Sequence, residues 1–357
     1  MESVAVVGGG VIGLSCAWRL AAAGHRVRLI DPAPARGASW VAGGMLAPLT
    51  ESWPGEEAAL DLGAAALERW PSFADELGFE LRREGTLVLG VDSADTATLD
   101  VLADFLAARG REVDRLTGRA ARALEPCLGP RVRSALSVPG DLAVDNRALL
   151  AALLRACDAV EFVAEQAVAV RPGRVEFAGH ALDADVVVVT AGAHSRGLHP
   201  ALTGVVRPVK GEILRLRARA GTLPPPSRTV RALVASRPVY LVPRADGELV
   251  LGATQHEVGY DTEVTAAGVR DLIADAEQVM PGIGEYALVE TAAGLRAGSP
   301  DNVPVIGWLE PGVLAATGHH RNGLLLAPTT ADAVVALVAG EPEPAATSPS
   351  RFAKGVR

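Results

Sequence analysis

Apolar positions along the chain change period several times, and each change marks a predicted element. Residues 4–7 are an unbroken apolar run of strand length followed by glycines, the pattern of a strand buried on both faces. Residues 14–23 follow helical spacing, Gly24 is placed to stop that helix, and 27–30 is a second short strand. A run rich in Gly, Pro, Ala and Ser over 32–56 predicts an extended loop. A helix starts near Glu57, with a break or kink expected at Pro71, whose ring removes an N–H and crowds the preceding turn. Beyond it the pattern predicts a strand over 84–91, helices over 94–109, 117–124 and 147–157, and a strand over 182–190 whose buried part is 186–189. Asp145 and Asn146 are placed to cap the helix that starts at 147. Alternating patterns at 209–216, 239–242 and 249–251 predict antiparallel strands, two of them linked by the Pro-rich 223–227. Thr265 caps a helix over 266–280, and 313–316 is a strand that leads through a glycine-rich turn to a helix over 329–339. Pro, Ala and Ser dominate 341–357, which reads as a mobile tail.

Short buried strands with helices thus stand at the start, middle and end, and antiparallel β material lies between them. That order predicts an α/β protein of two discontinuous units. A Rossmann-type nucleotide-binding domain comes from 1–80, 145–205 and 292–340, and an inserted α+β substrate domain on an antiparallel sheet comes from 81–144 and 206–291. With 357 residues, 49% of them hydrophobic, the chain can bury two such cores. A net charge of −8 works against the positive field that a nucleic-acid partner requires. Of the 34 basic residues only Lys210 and Lys354 are lysine, so an average arginine here carries little functional weight. Lys210 reads as a charge on an edge strand. Cys16, Cys127 and Cys157 lie far apart without a C-x-x-C pair, which predicts neither a zinc site nor disulfides. No apolar run approaches the ~18 residues of a membrane span, and the chain opens into a strand rather than a signal peptide. A cytoplasmic protein without a membrane segment is expected.

Candidate chemistry begins at Gly8-Gly9-Gly10-Val11-Ile12-Gly13, a G-x-G-x-x-G between the first strand and the first helix. Gly8 permits the tight turn, Gly10 lets backbone approach a pyrophosphate, and Gly13 lets helix and strand pack closely. The helix N-terminus directs N–H groups and partial positive charge at phosphate. Asp31 closes the second strand 18 residues after Gly13, where a carboxylate can accept from a ribose hydroxyl. This unit alone does not separate FAD from NAD. Three further stretches favour FAD: the glycine-bearing loop 39–45, the strand ending at Thr190-Ala191-Gly192, and the turn Gly318-His319-His320-Arg321-Asn322-Gly323 ahead of a helix. A helix N-terminus beside an isoalloxazine stabilises the negative charge that two-electron reduction puts on N1 and the C2 carbonyl. His319 and His320 lack a third residue at metal-ligand spacing, so no metal is expected.

The stretches VAVVGGGVIGLSCAWRLAAAGHRVRLID, AGGML, VVVTAGAHS, VRPVKGE, VYLVPRADGELVLGAT, AGLRAGSPDNVPVIG and TGHHRNGLLLAPTTA together resemble the D-amino acid oxidase family of flavoproteins, most closely its glycine oxidase branch from thiamine biosynthesis. They extend in family order to about Gly340. The resemblance implies non-covalent FAD, since none of the three cysteines lies in the late substrate segments where related enzymes attach flavin. It implies that Arg296 and Tyr240 hold a substrate carboxylate and that Arg321 lies close to flavin and substrate. It also implies flavin contacts at Val11, Ile12, Asp31, Pro32, Ala38, Ser39, Gly43, Gly44, Met45, Val168, His319, His320, Arg321, Asn322, Gly323, Leu324 and Leu325. The activity implied is oxidation of the amine of glycine, or a similarly small amino acid, to an imine. Molecular oxygen would be the acceptor, and glyoxylate, ammonia and hydrogen peroxide would be released or the imine passed to thiazole synthesis. A homo-oligomer is implied as well.

The chemistry of the residue types agrees with these roles, because a guanidinium binds a carboxylate through two parallel N–H bonds. Plainer readings are a solvated arginine for Arg296, an aromatic filler for Tyr240 and a brace of its own turn for Arg321. The chain departs from the family at Pro238, where a histidine can stand two residues before the tyrosine, and at Trp40 and Val41, which are bulkier than usual. Rival readings are an oxidase or dehydrogenase for sarcosine, proline or a D-amino acid, a nucleotide-binding sensor without turnover, and an NAD-dependent dehydrogenase.

Overall fold

The computed structural model describes residues 1–111 and 113–352. One sheet has six strands in the order Val305–Glu310, Val313–Thr317, Val186–Val189, Ser3–Val7, Arg26–Ile30 and Glu161–Val163. All neighbours run parallel except the first pair, an antiparallel hairpin. Successive residues of a strand face opposite sides, and here both sides are covered. Val4, Val6, Val186 and Val188 enter a core under the helices Val11–Ala22, Glu57–Leu77, Asn146–Ala156 and Ala327–Val338. Ala5, Val7, Val187 and Val189 enter a second core that includes Val170 and Val175 of a small antiparallel sheet. Double burial is why these strands read as unbroken apolar runs rather than as alternation. The strand expected over 182–190 is two elements, Ala181–Asp183 in the small sheet and Val186–Val189 in the large one.

A second sheet has eight strands in the order Ala287–Gly298, Arg207–Arg217, Glu248–Gly252, Arg237–Pro243, Thr229–Val234, Thr86–Gly90, Ser134–Val138 and Asp114–Thr117. Its pairings are antiparallel apart from Thr229–Val234 with Thr86–Gly90. One face packs against the helix Ala266–Val279, which Thr265 caps through the Gly268 N–H. The strand Ala287–Gly298 escapes the pattern reading: its sequence ALVETAAGLRAG is poor in β-branched and aromatic residues, and half-exposure at an edge removes the alternation.

Three expectations are corrected. Of the break or kink expected at Pro71, the break is absent: the helix Glu57–Leu77 continues through it. Trp70 and Phe73 beside it are 0% and 1% exposed, and Trp70 Nε1 donates to the Leu325 carbonyl at 2.8 Å, so packing outweighs the ~3 kcal/mol an interior proline costs. Residues 341–352, expected to be mobile, lie against the strand Val305–Glu310. Ile306 N–H donates to Thr347 O at 2.9 Å, and Trp308 N–H donates to Glu343 Oε2 at 3.1 Å. The rest of the expected tail, 353–357, lies outside the described residues. Lys210 is not an edge charge: its strand is paired on both sides and the residue is 2% exposed. Among the described residues no helix is long and apolar enough to cross a membrane.

Candidate active site

The three glycine-rich stretches meet at the ends of adjacent parallel strands. Gly8, at φ +111°, lies against Ala191, where a Cβ on Gly8 would stand 2.5 Å from the Ala191 Cα. Thr190 Oγ1 donates to the Gly8 carbonyl at 2.8 Å, and Thr317 Oγ1 donates to the Gly192 carbonyl at 3.1 Å, which brings the Gly318 turn alongside. A Cβ on Gly13 would collide with the Gly8 carbonyl oxygen, the close helix–strand packing expected of the third glycine. Gly10 differs: only Ser39 Oγ, at 3.4 Å, would face its Cβ, so one side of the turn is open to a ligand. No side chain from the cap position closes the N-terminus of Val11–Ala22, and among the described residues only the Ser39 hydroxyl reaches it, accepting from Val11 N–H at 3.1 Å. The helix Ala327–Val338 likewise begins with no side-chain cap, directly after the turn that carries His319 to Leu325. Asp31 accepts from Gly9 N–H at 2.6 Å and Ala33 N–H at 2.7 Å, which leaves about two of a carboxylate's roughly four lone-pair sites for ribose hydroxyls. This cradle fits a dinucleotide with its phosphates at Gly10 to Gly13. Val168 is half-exposed, its N–H donates to Glu176 O, and its neighbour Ala167 packs in one cluster with Val7 and Ile30, the ends of the strands that lead into the cradle.

The segment expected as an extended loop holds short elements, the helices Ala38–Val41 and Pro48–Glu51 and the strand Met45–Leu46 paired with Leu142–Ala143; the stretch Ala38 to Met45, with Pro32 at its approach, packs on one face of the eight-stranded sheet. Val41 and Met45 touch the cluster of Ile213, Val242 and Val250, to which Tyr240 also belongs. The Tyr240 ring sits in a slot between two glycines: a Cβ on Gly43 would lie 2.7 Å from the ring, and one on Gly252 would overlap it. Burial raises the Tyr240 hydroxyl above the usual phenol range, partly opposed by the Arg296 charge, so the group stays a donor at neutral pH. Arg296 lies over Gly211, where any side chain would strike the guanidinium, and its Nη1 donates to the Thr254 carbonyl at 3.2 Å. No carboxylate among the described residues forms an ion pair with Arg296, so a half-buried cation is left with unused donors. Pro238 shares the Tyr240 face two residues away and is exposed at its rim.

Arg321 is engaged by the protein itself. Its Nη2 donates to Glu56 Oε2 at 2.5 Å, and Glu51 Oε2 lies 3.9 Å from its Nε. His319 Nε2 bonds Thr330 Oγ1 at 2.9 Å, and burial pushes the imidazole down to about 3. His320 is also pushed down to about 3, chiefly by burial and then by Arg321, Arg296 and Arg207, and among the described residues neither of its ring nitrogens has a hydrogen-bond partner. Both rings are therefore neutral at physiological pH. Among the described residues no group of three or more His, Cys, Asp or Glu could hold a metal.

Several supporting residues carried no sequence signal for their role. Asn146, read as a cap, is fully buried: Nδ2 donates to the Ser39 and Trp40 carbonyls at 2.8 Å each, and Oδ1 accepts from Arg215 and Arg244 at 3.2 Å each. Asp145 alone is the cap. Arg147 pairs bidentately with Glu290 at 2.9 and 2.6 Å and stacks on Trp40, whose ring also receives Arg36. This explains the bulky residue in the loop, which serves two cation–π contacts. Lys210 bonds Asp261 Oδ2 at 2.6 Å and so fixes the segment after Thr254, the acceptor for Arg296.

Comparison with known proteins places this geometry in a family. Residues 3–337 match the family model described as FAD dependent oxidoreductase. A Rhizobium etli protein named as a thiamine biosynthesis oxidoreductase, ThiO, is 35% identical over 93% of this chain and 94% of its own. The Synechocystis sp. bifunctional protein ThiO/ThiG is 32% identical over 98% of this chain, which spans 54% of that longer protein. The crystal structure of glycine oxidase from Geobacillus kaustophilus superposes with a TM-score of 0.89 at 30% identity, over 98% of this chain and 99% of that one. On the match over nearly its whole length, with the dinucleotide cradle in place, this chain belongs to the FAD dependent oxidoreductase family.

Proposed function

We propose that this protein oxidises the primary amine of glycine, or of an amino acid of similar size, with non-covalent FAD and molecular oxygen. The observation that carries the reading is Arg296, a half-buried guanidinium without an acidic partner, on the sheet face that also holds Tyr240 and the loop Ala38 to Met45. The similarity to glycine oxidase and to ThiO supports glycine and a supply of imine to thiazole synthesis.

Arg296 holds the substrate carboxylate through paired N–H donors, and Tyr240 donates its hydroxyl to the same group. Gly211 beneath the guanidinium and Gly43 and Gly252 around the ring fix both donors before substrate arrives, so orientation costs little at binding. Residues of the cradle, Gly8 to Gly13, Asp31 and the Gly318 turn, would hold the dinucleotide. Bound FAD supplies the two-electron oxidant for the amine carbon. The two histidines of the turn are neutral, and no side-chain base is required if the substrate binds with its amine deprotonated. The product imine then hydrolyses to glyoxylate and ammonia, and oxygen leaves as hydrogen peroxide. A cytoplasmic setting suits the three cysteines, all buried and unpaired.

The test is anaerobic addition of glycine, sarcosine or D-alanine to the flavin-loaded protein, followed by air and a peroxide assay. Glycine should bleach the flavin fastest, and peroxide should form on admission of air. A colour that survives all three amino acids would end the oxidase reading.

A further inference from the structure

Two more cations stand beside the Arg296–Tyr240 pair, and both are neutralised from one segment. Arg231 lies directly opposite Tyr240 on the neighbouring strand, so the two side chains share a face of the sheet. Its Nη1 is 2.7 Å from Glu51 Oε1, off the line of a hydrogen bond but close enough for an ion pair. Glu51 turns its other oxygen to Arg321, at 3.9 Å, and Glu56 takes the Arg321 Nη2 at 2.5 Å. Asn302 Nδ2 completes Glu56 at 2.8 Å. These charges are well shielded: the side chains of Glu51, Arg231 and Glu56 are 11%, 14% and 18% exposed. At that burial a charge pair is coupled strongly and an unpaired charge is expensive. The four charges cancel, and Arg296 remains the one cation of the group without an acidic partner among the described residues.

We propose that Glu51 and Glu56 restrict this pocket to amino acids with a single carboxylate. They neutralise Arg231 and Arg321, which would otherwise attract a second acidic group, and they meet such a group with like charge. The inference rests on Arg296 and Tyr240 as the carboxylate clamp. The first carboxylate has a cation waiting for it, whereas a second one finds cations already occupied and two acids in its path.

Calorimetric titration of the FAD-loaded protein with acetate and with malonate at pH 8 measures this directly, since the two differ by one carboxylate. The wild-type protein should bind acetate at least tenfold more tightly than malonate. In the Glu51→Gln/Glu56→Gln double variant that preference should shrink at least tenfold, and Glu56→Gln alone should fall between. Malonate binding as tight as acetate in the wild type, or no acetate binding, overturns the proposal even if the double variant does not accumulate. An unchanged preference in a double variant with full flavin content overturns it as well. The oxidase reading fails separately: if glycine leaves the flavin oxidised while the acetate preference and its shift appear, the charge selection stands and the reaction assignment falls.

Discussion

Arg244 Nη2 donates to the Gly43 carbonyl at 2.6 Å, joining residues 201 positions apart and tying the eight-stranded sheet to the glycine-bearing segment Ala38 to Met45. Arg244 is 6% exposed, and burial pulls its guanidinium down to about 10, with Asp145 Oδ2 at 3.8 Å from its Nε. Asn146 shares that Nη2 and holds the loop's Ser39 and Trp40 carbonyls with its amide, so a single buried side chain closes the connection from both directions. Replacing Asn146 by Ala leaves the Ser39 carbonyl and one donor each of Arg215 and Arg244 without this partner, and the Trp40 carbonyl with Arg147 Nε at 3.4 Å; a buried group left unsatisfied costs ~1–3 kcal/mol. The Asn146→Ala variant should lose at least tenfold in FAD affinity, read by ultrafiltration of released flavin. Asn146→Asp, which keeps the acceptor and loses the donors, should fall between.

Arg296→Leu removes the only cation of the clamp without an acidic partner among the described residues. A charged bidentate pair of this kind contributes about 2–3 kcal/mol, so the variant should raise KM for glycine by roughly a hundredfold. The dinucleotide cradle is built from other residues, and the flavin spectrum should be intact. Equal KM values in variant and parent would remove Arg296 from substrate binding.

The nucleotide half of the molecule is legible in the sequence because its signals are local. Gly8, Gly10, Gly13 and Asp31 sit in one strand–turn–helix unit, and doubly buried strands leave apolar runs that composition cannot hide. The substrate half is legible only in part because its logic is long-range. Gly43, Gly211 and Gly252 look like loop or strand-weakening residues along the chain. In the structure they are spaces left for Tyr240 and Arg296. Asn146 reads as a helix cap since its partners, at 39, 40, 215 and 244, are distant in sequence. Lys210 reads as an edge charge because the strand Ala287–Gly298, which covers its strand on one side, is too rich in Ala, Thr and Gly to announce itself. Glu51 and Glu56 lie in a segment whose composition says only loop, and their pairing with Arg231 and Arg321 is visible only in three dimensions.

The slot around Tyr240 separates two effects of mutation. Tyr240→Phe keeps the ring and removes one hydrogen bond to a charged group, worth ~1.5–3 kcal/mol. It should raise KM for glycine by about tenfold or more with little change in FAD binding. Gly43→Ala instead drives a methyl to 2.7 Å from the ring and displaces the loop that carries it. That variant should lower both glycine turnover and FAD affinity. If Gly43→Ala matched the parent in both, the ring would not be held as tightly as the geometry requires.

Asp141 gives the fold a pH dependence whose direction follows from its surroundings. The residue is fully buried, Thr50 Oγ1 donates to its Oδ2 at 3.1 Å, and Oδ1 has no hydrogen-bond partner among the described residues. Burial raises the carboxyl to about 7. A carboxyl with a folded pKa above its unfolded one holds its proton more tightly when folded, so stability falls as pH rises from about 4 to about 7. His319 acts in the opposite sense: pushed down to about 3, it resists protonation in the fold, and stability falls as pH drops below about 6.5. Asn at position 141 can accept from Thr50 without ionising. Asp141→Asn should therefore raise Tm at pH 8 by several degrees relative to the parent, and by much less at pH 5, where the native Asp is already protonated. Thermal melts of both proteins at the two pH values measure the difference. An equal effect at pH 5 and pH 8 would mean that Asp141 does not change its charge across that interval.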